Sequence, residues 1–143
     1  MKRVVMTVAT GSIALFVLGF VMYVVLLGGF YEAYLGSATG VMRDVPIGWA
    51  MIISQVGLAS MLAFVLHLSD ASSALDGLRV GGTFGLLFGV AVAFDLYAVT
   101  NWSTLPVPFV EPLVTATRLA LASAAMGWVV GRGSDAPNPV GAT

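Results

Sequence analysis

Apolar residues along this chain come in four long blocks separated by short polar interruptions. The first runs from about Val4 to Gly28 and stays uncharged through Phe30. A helix that crosses a bilayer needs about 20 predominantly apolar residues, so this block predicts a membrane span. The second opens at Pro46, which suits the first turn of a helix, and continues to about Leu66 with Ser54, Gln55 and Ser60 but no charge. His67 follows, then SDASSALDG, whose Ser, Asp and Gly content predicts a break. The third block covers about 80–102. The fourth covers about 109–131, its start set by Pro108 or Pro112. The pattern predicts an all-α membrane protein: a four-transmembrane-helix bundle built from two hairpins, with the membrane domain at 1–131. The tail, 132–143, is polar and rich in Pro and Gly, and is expected to be disordered.

Charge orients the bundle. Lys2, Arg3, Arg79 and Arg132 fall on one side and Arg43, beside Asp44, in a loop on the other. The excess of Lys and Arg marks the cytoplasmic side, which places both termini and the tail in the cytoplasm of a multi-pass protein of the cytoplasmic (inner) membrane. The start, MKRVV, resembles that of a signal peptide. Signal h-regions span only about 7–15 residues, so the first block is expected to be a retained anchor helix. Tyr31, Tyr34, Trp49 and Trp102 then form an outer aromatic belt, with Trp128 near the inner face.

Composition agrees with a bilayer environment. Of 143 residues, 59% are hydrophobic and 9% charged, against roughly 25% charged in soluble domains. A net charge of −1 with singly scattered bases argues against a nucleic-acid partner. The absence of Cys excludes disulfides, thiolate metal sites and Cys nucleophiles. One His, His67, makes a poor metal or haem site, and neither a metal nor a cofactor is expected. The expected partners are the lipid bilayer and, through helix faces, a second copy or a larger membrane complex.

Gly81, Gly85, Gly89 and Ala93 recur every four residues along one face of the third span. Small-residue faces let helix backbones approach closely in lipid. The fourth span offers matching small residues at Ala116, Ala120 and Ala124, and at Ser123, Gly127 and Gly131. Close packing within one chain is the expected use of this face.

Polar residues inside the blocks are the candidate site. A charged side chain inside hydrocarbon is costly and is a functional-site hypothesis by default. Asp95 lies ~24 Å above Arg79, and Arg118 ~21 Å above Arg132, at 1.5 Å per helical residue. Both are thus expected at similar depth, meeting across the last hairpin as a structural lock or as the centre of a polar cavity. Gln55 should reach a comparable level and join them. Thr100, Asn101 and Glu111 are expected higher. Glu111 and Arg118, seven residues apart, share a helix face. A polar centre of Asp95, Arg118, Gln55, Asn101, Thr100 and Glu111 is therefore expected, with no catalytic residue assigned.

Two short motifs add a resemblance. LGGFYEAYLG at 27–36, and GTFGLLFG with FDLYAVTNWSTL within 81–105, resemble small bacterial four-span membrane proteins catalogued as domains of unknown function. Phe30, Tyr31, Leu35 and Gly36 match an FYxxxLG-like exit from the first span. Asp95, Leu96, Thr100, Asn101, Thr104 and Leu105 match a Tyr-Asp-Leu-Thr-Asn-x-x-Thr-Leu-like stretch, with Tyr97-Ala98-Val99 inserted. The resemblance implies four helices and supplies no substrate.

Three functions fit these features. A small transporter or ligand-binding membrane protein with an Asp/Arg polar centre comes first. A structural or accessory subunit of a larger complex is the alternative. An intramembrane lipid-modifying enzyme ranks last, since Arg118 beside Asp95 would keep that carboxylate ionised and no second catalytic group is evident.

Overall fold

The computed structural model describes residues 2–40, 43 and 45–132. Asp44 and the tail beyond Arg132, expected to be disordered, lie outside the described residues. Within them every regular element is helical, apart from one isolated antiparallel bridge between Leu35 and Ser103. Helix α1 spans Lys2–Gly19 and continues as a wider π-helical stretch, Phe20–Leu26. A bond of 2.9 Å from the Leu27 amide to the Met22 carbonyl records the five-residue step of that winding. A short helix α2, Gly28–Ala33, follows. Helices α3, Gly48–Leu68, α4, Ala74–Val99, and α5, Val107–Arg132, complete the fold. Four segments are long and apolar enough to cross a membrane: Lys2–Leu26, Gly48–Leu68, Ala74–Val99 and Val107–Gly131. The protein is therefore compatible with a multi-pass membrane protein.

Two boundaries differ from the sequence expectation for local reasons. Helix α4 begins at Ala74, inside the stretch expected to break. The Ser73 hydroxyl accepts from the Asp76 amide at 3.1 Å and donates to the Asp76 carboxylate at 2.7 Å. This S-x-x-D cap satisfies the first-turn donors, so the turn becomes a helix start. Helix α5 begins at Val107 with both prolines inside it. Pro108 sits in the first turn, where its missing N–H costs nothing.

Helix α5 is the centre of the bundle. It lies along α4 over most of its length and also packs on α1, which in turn packs on α3. Leu119, Ala122 and Met126 of α5, Leu15 of α1, and Ala59 and Leu62 of α3 are fully buried in one cluster. Gly11 of α1 accommodates Met126: a Cβ there would lie 2.5 Å from the Sδ.

The glycine face of α4 lies against α5. A Cβ on Gly77 would lie 2.1 Å from the Ser123 carbonyl oxygen, on Gly81 2.3 Å from the Ser123 hydroxyl, on Gly85 2.9 Å from the Ala116 Cα and on Gly89 2.7 Å from the Pro112 Cα. Ala93 continues the buried face. On the other side of the contact, a Cβ on Gly127 would lie 2.3 Å from the Ser73 carbonyl oxygen, and on Gly131 2.4 Å from that of Ser72. Backbones this close gain dispersion contact that no larger side chain would permit.

At the end opposite the chain's start, the connections after α2 and after α4 are tied together. The Gly36 amide donates to the Trp102 carbonyl at 2.8 Å, Ala38 to Asn101 at 3.1 Å, and Thr104 to Tyr34 at 3.0 Å. A Cβ on Gly36 would lie 2.0 Å from the Asn101 carbonyl oxygen, so only Gly fits that crossing. The two resembling motifs thus converge in space on this clasp.

Candidate functional site

One group of polar side chains assembles around α1 and α5, at and below the clasp. Glu111, the fifth residue of α5, accepts hydrogen bonds from three hydroxyls. Tyr23, in the π-helical stretch, donates to its Oε1 at 2.5 Å, and Thr115, one turn along α5, donates to the same oxygen at 3.2 Å. Tyr31 of α2 donates to Oε2. The two tyrosine rings lie 5.4 Å apart, with Phe30 edge-on to Tyr31 at 5.5 Å. Burial, and then the hydrogen bond to Glu111, raises the Tyr31 phenol above its ordinary range. It therefore stays a donor.

Arg118 lies two turns further along α5. Its Nε and Nη2 donate to the Leu15 carbonyl at 3.1 Å and 2.9 Å, and Nη2 also donates to the Gln55 side-chain oxygen. Its guanidinium carbon stands 5.8 Å from the centre of the Tyr23 ring. Three helices thus hold one guanidinium: α1 through a backbone carbonyl, α3 through an amide and α5 through the side chain's own stem. Tyr23 stands between this cation and Glu111, whose charges attract through space. The bare face of Gly19 makes the space, since a Cβ there would lie 3.0 Å from Nη2.

Arg118, Gln55 and Glu111 are therefore brought into one network. Asp95 is not. It is exposed, and no ion pair joins it to Arg118. Two physical reasons account for this. The contacts Gly77–Ser123, Gly85–Ala116 and Gly89–Pro112 set Arg118 level with about residue 83 of α4, so Asp95 lies about twelve residues, or about 18 Å of helix axis, nearer the clasp. Asp95 also stands two residues past Ala93, and so about 200° around α4 from the face that meets α5. Thr100 and Asn101 likewise lie outside the network. The Thr100 hydroxyl caps α4 by donating to the Leu96 carbonyl at 2.6 Å, and the Asn101 carbonyl serves the clasp.

The sequence reading missed Tyr23, Tyr31 and Thr115. A signal was present: Tyr23 is the only hydroxyl between Ser12 and Tyr31, and residues eight apart share a helix face.

A groove of about 810 Å³ opens beside this network, between the α1–α2 segment and the clasp end of α4. Helices α1 and α4 hardly touch, and this gap creates the space. Tyr23, Tyr31, Tyr34, Trp102, Glu32 and Glu111 supply its polar and aromatic lining, and Val24, Val92, Leu96 and Val107 its apolar walls. No protein-family model, curated protein or solved structure matches the chain. A concave, mostly apolar space with a few convergent polar groups is the usual form of a ligand site, and its volume lies within the ~300–1,000 Å³ common for such sites. A second space, of about 540 Å³, lies at the opposite end near Arg3, His67 and Asp70.

Proposed function

We propose that this is a multi-pass membrane protein that binds a small amphiphilic molecule in the groove at the clasp end. Glu111 is its fixed polar anchor and the Arg118–Gln55 network its support. The observation that carries the reading is the Glu111 carboxylate, held by hydroxyls from three elements at the wall of an otherwise apolar groove. Holding an acceptor in place before a ligand arrives lowers the ordering cost of binding. The positive-inside pattern supports a cytoplasmic location for the start of α1 and the end of α5, with the groove facing the other side.

The test uses the purified full chain. Thermal stability across a panel of amphiphiles is expected to rise with specific members for the wild type, and not for Glu111→Gln or Tyr31→Phe. Uniform responses across these proteins would overturn the reading. Native mass measurement after gentle extraction would point to an accessory role if it found the chain bound to other subunits. The chain has no Cys, so orientation is testable on a clean background. Ser37→Cys is expected to react with an impermeant thiol reagent from outside intact cells, and Ser72→Cys only after lysis.

A further inference from the structure

We infer that the ligand of this groove is a cationic amphiphile, an alkyl chain bearing an ammonium group. This rests on the proposed reading of the groove as a binding site. Among the described residues, the lining carries two carboxylates, Glu32 and Glu111, and no Lys, Arg or His. The nearest cation of the network, Arg118, lies beyond the Tyr23 ring and is not part of the lining. Negative charge in a low-dielectric cleft concentrates cations and repels anions. Tyr34 and Trp102 border the groove, and the two residues are 38% and 40% exposed. Aromatic faces combined with carboxylates are the chemistry that recognises quaternary ammonium groups. The apolar walls then define the rest of the molecule. Val24, Val92, Leu96 and Val107 offer contact to a hydrocarbon chain. The site therefore has a cation-selective head, aromatic sides and a greasy flank.

The experiment measures equilibrium binding of radiolabelled dodecyltrimethylammonium to the purified full chain in a maltoside detergent, competed by dodecanoate and by dodecanol. Saturable binding displaced by unlabelled cation but not by the other two is expected. Glu32→Gln, an exposed change outside the Glu111 network, should weaken it about three- to tenfold, the effect of one carboxylate near a partly solvated cation. Trp102→Leu should weaken it by a similar factor. Equal competition by dodecanoate or dodecanol would overturn the cation assignment while leaving the groove as a binding site. Absence of any saturable amphiphile binding would overturn both. Cation binding unchanged in both variants would place it elsewhere on the protein and so overturn the assignment to this groove.

Discussion

Gly19 of α1 and Arg118 of α5 meet so closely that a Cβ on the glycine would stand 3.0 Å from Nη2 and 3.2 Å from the guanidinium carbon. The guanidinium cannot step aside freely, because the Leu15 carbonyl and the Gln55 amide hold it. Gly19→Ala must therefore push a held group by a few tenths of an ångström, and should already destabilise, though less than a branched side chain. Gly19→Val adds branching that must displace the charge, and overpacking of this kind costs roughly 1–3 kcal/mol. Denaturant titration of purified variants, with α-helical content as the readout, checks the order wild type, Ala, Val.

The link between Arg118 and Gln55 is testable as a double-mutant cycle. Arg118→Leu leaves the Gln55 amide without its partner in a span, and an orphaned buried polar group costs about 1–3 kcal/mol. Gln55→Leu removes one acceptor from a cation that keeps the Leu15 carbonyl. The double variant should be less destabilised than the sum of the singles, since neither polar group is then stranded. Arg118→Lys should not restore the wild-type value. One ammonium lacks the planar fork that reaches a carbonyl and an amide together.

Tyr31 provides the pH dependence. It lies in α2, beyond the first apolar span, and burial followed by Glu111 raises its phenol above the ordinary value. A group whose pKa is raised on folding stabilises the fold fully below its unfolded value, about 10. That contribution shrinks as pH climbs beyond it, because the unfolded state loses its proton first. Ultraviolet titration of the wild type should show Tyr31 ionising well after exposed tyrosines. Glu111→Gln should bring it back towards them without reaching them, since burial, the larger cause, remains.

The fold was legible because each of its signals is local. Block length marks a span, and the four-residue recurrence of Gly81, Gly85, Gly89 and Ala93 marks the face that meets α5. The start of α4 is hidden because Ser73 and Asp76 are turn residues by type, and only their three-residue spacing makes them a cap. The site was legible only by residue type. Arg118, Gln55 and Glu111 are costly in lipid and had to find partners. Their partners, a backbone carbonyl at Leu15 and the hydroxyls of Tyr23, Tyr31 and Thr115, carry no charge to announce them. The π-helical stretch that sets Tyr23 in place leaves no pattern in hydropathy.

Asp95 separates the sequence reading from the structural one. Counting from charged residues at the helix ends gave it the depth of Arg118 but ignored both register and azimuth. The close approach of Gly89 to Pro112 fixes the register, and the angle from Ala93 fixes the azimuth. An exposed carboxylate one turn from the end of α4 at Val99 needs no buried counter-charge, because a side chain there can reach the polar interface. Asp95→Asn should therefore leave stability within about 0.5 kcal/mol of wild type, as surface changes usually do. It should also leave amphiphile-induced stabilisation intact. Glu111→Gln, measured beside it in the same denaturant and ligand titrations, should lose both. If the two variants exchanged these outcomes, the centre of the molecule would lie at α4 rather than at the α1–α5 seam.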